Sequence, residues 1–102
     1  MKQLTTSLNL FLLLFGLCAS GQTLDELITL SKQAGSAGDY KKRLALNTQI
    51  LDSVEVIYGK DHVAYAYYLS NLATDHSNLG YYKKAIQLHQ LSLNIYENIY
   101  GN

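Results

Sequence analysis

The chain has 102 residues, with 8 Lys+Arg balanced by 8 Asp+Glu, a charged fraction of 16%, a single Cys and no Pro or Trp. That length suits one small domain, and zero formal net charge removes any electrostatic case for nucleic acid or an anionic membrane as partner. The lone Cys18 excludes an internal disulfide framework and a thiolate cluster for structural zinc, so stability must come from packing.

Residues 1–21 read as a signal peptide: Lys2, then an apolar run from Leu8 to Leu17, then Ala19, Ser20 and Gly21. The run is about ten residues long, half of the roughly 20 that a membrane-spanning helix needs. Small side chains place the cleavage before Gln22, with a cut after Ser20 as the nearest rival. Lipid attachment at Cys18 is disfavoured, because Leu17 stands where the lipoprotein pattern takes Gly, Ala or Ser. The expected product is periplasmic or secreted and keeps no membrane association after cleavage. It loses Phe11 and Phe15 but retains all nine Tyr.

The mature chain opens on a helix signal. Thr23 and Glu26 have the T-x-x-E spacing of a capping box, which predicts a helix to about Ala34 and a turn over Gly35-Ser36-Ala37-Gly38. From Gly38 the sequence repeats itself. GDYKKRLALNTQILDSVEVIYGK aligns without gaps to GYYKKAIQLHQLSLNIYENIYGN, 42 residues further on, with 10 of 23 positions identical. Gly38/Gly80, Tyr40/Tyr82, Leu46/Leu88, Leu51/Leu93, Glu55/Glu97 and Tyr58/Tyr100 are among the matches. A fixed period in this range marks stacked units, none of which buries its apolar face alone.

The second unit shows helical periodicity twice. Leu69, Leu72, Ala73, His76 and Leu79 share one face; after Gly80, so do Ala85, Leu88, Ser92, Ile95 and Ile99. Asp61 suits the cap of a helix from His62 to Leu79, and Gly80 the position just past its end. Val54 to Tyr58 has strand-like composition, but its copy Tyr96 to Tyr100 does not, so both are predicted helical. The fold class is all-α, antiparallel helix-turn-helix repeats stacked as a short α-solenoid.

The spacing Leu69-x2-Leu72-Ala73-x2-His76, then Gly80-Tyr81-Tyr82 and Ala85-x3-His89, resembles the tetratricopeptide repeat. The period and the linker Tyr58-Gly59-Lys60-Asp61-His62 look like the longer subtype of kinesin light chains and many exported bacterial scaffolds. The resemblance divides the mature chain into a divergent N-terminal repeat, 22–60, and a second repeat, 61–102. Departures are His76 and His89 in place of larger aromatics, Val63 in place of Pro, and Arg43 where the second unit has Ala85. Leu44, Leu51 and Tyr58 lie seven apart and should be covered by the next helix of the stack. Their copies Ile86, Leu93 and Tyr100 form a candidate stacking interface, because the sequence stops at Gly101-Asn102, within what looks like another linker. A homodimer or further C-terminal repeats would cover them.

The resemblance implies a module that binds a protein or peptide on its concave helical face. Tyr67, Ser70, Asn71, Thr74, Ser77 and Asn78 share the face opposite Leu69, Leu72 and Ala73, and are the candidate partner contacts. Asn71 leads, since an amide both donates to and accepts from an extended backbone. The face carries no Lys or Arg, which argues against a clamp for a terminal carboxylate. One of Tyr65, Tyr67 and Tyr68 should face the groove while another packs on the preceding repeat. His62, His76 and His89 are read as structural: His62 lies in the linker, His76 and His89 at packing positions of different helices. Asp75 beside His76 resembles a base and its orienter, yet triad members must converge in space and nothing in sequence requires Ser70 or Ser77 to do so. The basic clusters Lys41-Lys42-Arg43 and Lys83-Lys84 sit at matching repeat positions, which repeat history explains. No catalytic, metal or cofactor site is expected. The competing reading is the repeat region of a larger exported enzyme or sensor, such as a caspase-like peptidase or a histidine kinase.

Overall fold

The computed structural model describes residues 22–101. The signal peptide, its cleavage boundary and Cys18 lie outside the described residues. Four helices follow in order: α1 (Leu24–Ser36), α2 (Tyr40–Tyr58), α3 (Val63–Asn78) and α4 (Tyr82–Tyr100). There is no strand among the described residues, so the all-α reading holds. Each helix packs on its sequence neighbours, α1 on α2, α2 on α3 and α3 on α4, while α1 and α3 make no backbone approach.

Local chemistry starts and stops these helices. The capping box forms as the spacing predicts: the Glu26 backbone N–H donates to Thr23 Oγ1 at 3.1 Å, and the Thr23 N–H to Glu26 Oε1 at 3.3 Å. Asp39 caps α2 by accepting from the Lys42 N–H at 3.2 Å, whereas its repeat counterpart Tyr81 gives α4 no side-chain cap. Gly38 and Gly80 turn the chain between the two helices of each unit with φ of +73° and +90°, a region that only glycine enters cheaply. Beyond α3, the Gly80 and Tyr81 N–H groups return to the Ser77 and His76 carbonyls and satisfy the helix end.

Two predicted boundaries move. Helix α1 runs to Ser36 rather than Ala34, which makes Gly35 helical instead of part of the turn. A Cβ at Gly35 would meet the Arg43 side chain at 3.2 Å, so the missing Cβ leaves room for Arg43 to cross α1. The cap of α3 is His62, not Asp61: the Ala64 N–H donates to His62 Nδ1 at 3.0 Å. Tyr58 stacks on the His62 ring at 4.4 Å and holds it in that orientation.

The core lies where the first three helices meet. Leu27 of α1, Leu46, Ile50 and Val54 of α2, and Tyr65, Ala66 and Leu69 of α3 are buried together, with Ile95 of α4 joining them. Each large apolar side chain buried this way contributes about 1.5–3 kcal/mol. Small residues let α4 approach α3 closely: Ala66 and Ala73 are fully buried, Ala85 nearly so, and Ser92 Oγ donates to the Ala66 carbonyl at 2.6 Å. Leu44 and Leu51 are half-buried as expected for positions under α3, while Tyr58, 52% exposed, is covered mainly by His62.

Candidate functional site

Because α1 and α3 are the first helices of successive units and α2 stands between them, their outer faces border a shared groove. A narrow cleft of about 70 Å³ is lined by Ile28, Ser31, Lys32, Arg43, Tyr67 and Asn71, among others. It shares Lys32 and Arg43 with a broader, open depression of about 580 Å³ bordered by Gly35, Tyr40, Thr74 and Asn78.

Four of the sequence-predicted contacts, Tyr67, Asn71, Thr74 and Asn78, therefore line this groove. Ser70 and Ser77 are half-buried and line neither part of it. Tyr67 is 53% exposed, and its ring meets that of Tyr68 edge-on at 5.0 Å. Tyr65 is the tyrosine that packs inward, at 8% exposure. Thr74 Oγ1 donates back to the Ser70 carbonyl at 3.1 Å, which leaves its oxygen lone pairs facing outward. The Asn71 amide makes no hydrogen bond among the described residues. A half-buried amide with both its donor and acceptor unused can pair with an incoming backbone.

The α3 face carries no Lys or Arg, as its sequence shows, but the groove it borders does hold cations. Lys32 from α1 and Arg43 from α2 both line it.

Beneath the groove runs a buried polar network that the sequence did not reveal. Ser31 Oγ donates to Asn47 Oδ1 at 2.6 Å, Asn47 Nδ2 donates to Asp75 Oδ2 at 2.8 Å, and Arg43 Nη1 lies 3.0 Å from Asp75 Oδ1. Asn47 and Asp75 are fully buried and Ser31 nearly so. The chain of contacts ties α1 to α2 to α3 and fixes the two sides of the groove relative to each other. The pattern could have signalled it, since Asn47, Ile50 and Val54 share a helical face on which a lone amide must find partners.

Asp75 is thus a structural residue and not a base for its neighbour. Burial pushes its carboxyl above the usual carboxylate range, against the opposing effects of the Asn47 hydrogen bond and the Arg43 and His76 charges. A raised native value means the folded state holds this proton at higher pH than the unfolded chain does. The resulting stability is complete below the unfolded value and is lost as pH rises through the native one. Relative to Asp75→Asn, the native chain should therefore gain stability as pH falls through the raised native value toward the unfolded one, read by urea unfolding at each pH. A relative loss on acidification would contradict the assignment.

The histidines divide. His62 caps α3, and His76 is half-buried with its ring 6.1 Å from Tyr81, edge to face. His89, expected at a packing position, is exposed. Its counterpart one unit earlier is Asn47, which α3 covers; no described helix covers the same position of α4. Among the described residues no group of three or more His, Cys, Asp or Glu is placed to hold a metal ion.

Comparison with protein families matches the tetratricopeptide repeat over residues 26–98, and the chain belongs to that family. Comparison with curated proteins finds no match.

Proposed function

We propose that the chain is an exported interaction module of the 42-residue subtype, whose groove between α1 and α3 receives an extended segment of a partner protein. Tetratricopeptide repeats generally mediate protein–protein interaction, and the fold typically serves as a non-enzymatic scaffold. The observation that carries the reading is the unpaired Asn71 amide in the narrow part of the groove, flanked by Tyr67 and by the Thr74 and Asn78 side chains further along. An extended peptide has free N–H and C=O groups on alternate sides, and a side-chain amide can pair with both. Tyr67 and Ile28 add apolar surface for a side chain of that peptide. Export rests on the composition of residues 1–21, and the repeat division at 22–60 and 61–102 on the internal alignment.

Selection from a displayed library of short peptides tests the groove. Peptides enriched on the native chain should bind Asn71→Ala about ten-fold more weakly, the loss expected for one or two hydrogen bonds in a partly desolvated site. Tyr67→Ala should weaken the same peptides by a similar factor. Enriched peptides that bind both variants as tightly as the native chain would place recognition elsewhere and defeat the proposal.

A further inference from the structure

Helix α4 carries two seams. Ala85, Leu88, Ser92 and Ile95 form the first, which α3 fills. One residue further round lie Tyr82, Ile86, His89, Leu93, Tyr96 and Tyr100, spaced four, three, four, three and four apart. That alternation keeps side chains along one side of a helix and is the spacing by which two helices pack lengthwise. Tyr82 is 65% exposed, Ile86 67%, Leu93 49% and Tyr100 71%. The same register in α2 includes Leu44, Asn47, Leu51 and Val54, and there α3 covers it. A helix therefore fits this seam.

We propose that a second copy of the chain covers the second seam of α4, helix against helix about a two-fold axis. The alternative use of a second copy, head to tail, would set its α1 on this seam. Helix α1 exposes no large hydrophobic residue; it offers Asp25, Glu26, Thr29, Lys32 and Gln33 instead. Such a stack would bury carboxylates against Ile86 and Leu93 without partners for them. Helix α4 of the second copy presents the matching apolar seam, and a two-fold arrangement closes after two subunits. The four large exposed side chains offer roughly 500 Å² per copy, so the pair buries on the order of 1,000 Å², the lower limit for specific association. His89 places a polar ring at the middle of the seam and keeps the association weak and reversible.

Sedimentation velocity on the full chain tests this, with circular dichroism on each variant to verify helicity. The native chain should show a reversible dimer with a Kd on the order of 10–100 μM. Ile86→Glu with Leu93→Glu should weaken it about thirty-fold or more, because two carboxylates from each copy would face an apolar seam. His89→Leu should tighten it about ten-fold by completing the seam. Val56→Ser, which removes an exposed apolar side chain of α2 away from α4, should leave it unchanged. Any association through residues 1–21 is common to all four chains, so the differences between them report α4 alone. A native chain that stays monomeric throughout, or association indifferent to the α4 variants, overturns the proposal. Should the double variant lose helicity, His89→Leu decides: tightening supports the pairing and no change overturns it.

Discussion

Asn47→Ala is expected to cost about 3–5 kcal/mol of stability, since it leaves two buried groups without a hydrogen-bond partner at about 1–3 kcal/mol each, more where one is charged. The side chain is fully buried and serves both neighbours, accepting from Ser31 Oγ at 2.6 Å and donating to Asp75 Oδ2 at 2.8 Å. Alanine would leave the Ser31 hydroxyl without its acceptor and the Asp75 carboxylate with Arg43 alone, at a place where water does not reach. Roughly 80 ordered residues confer about 4–12 kcal/mol in all, so the variant should lose from about a quarter of the native stability to all of it. At about 4–8 °C per kcal/mol for a domain of this size, the fall in Tm would be 12 °C or more. Asn94→Ala, which removes an exposed hydrogen bond with Gln90 on α4, is the control and should cost about 0.5 kcal/mol or less. A loss below about 1 kcal/mol for Asn47→Ala would show that the network does not hold the helices together. Loss of this network should also loosen the groove, since the Asn47 side chain is hydrogen-bonded to both α1 and α3.

Ile50→Ala should cost about 2–5 kcal/mol. Ile50 is fully buried one turn beyond Asn47, in the cluster that joins Leu27 of α1 to Tyr65 and Leu69 of α3. Truncation removes three carbons from a site that helices confine on both sides, so little relaxation can fill the space. Urea unfolding followed by circular dichroism gives the cost, and a change below about 1 kcal/mol would mean that the three-helix core is not close-packed there. Asn47 and Ile50 are neighbours on one face and touch the same helices, so their losses should not add independently.

Much of the fold was legible because repetition and capping are written in neighbouring residues. The 42-residue period carried the helix assignments from one unit to the next, including Val54 to Tyr58, whose composition alone suggests a strand. Thr23 and Glu26 make their box three residues apart, and Gly38 and Gly80 meet a backbone requirement that any sequence copy would preserve. The groove residues on α3 were legible for the same reason: helical spacing alone puts Tyr67, Asn71, Thr74 and Asn78 on one face.

The buried network left no trace in the repeat, only a lone amide on an otherwise apolar face of α2. Its bonds join residues 16 and 28 positions apart, and the counterparts of Ser31, Arg43 and Asn47 in the second unit are Ala73, Ala85 and His89. No repeat signal marks a set of residues that occurs once. The choice between Asp61 and His62 as cap was equally hidden, because both stand within reach of the α3 N-terminus and the stacked Tyr58 ring selects the histidine. Nor did the α3 face show that Lys32 and Arg43 border its groove, since they come from other helices.

By itself, then, the sequence determined the helices, their period, their turns and the faces they turn toward the groove, all of which follow from interactions within about one helical turn or from comparison of like positions. The tertiary structure alone decided that Ser31, Asn47, Asp75 and Arg43 meet, that His89 stands in solvent while its counterpart is buried, and which cations border the groove. Those outcomes depend on which helix covers which, and side chains distant in sequence acquire a common environment only when packing has brought them together.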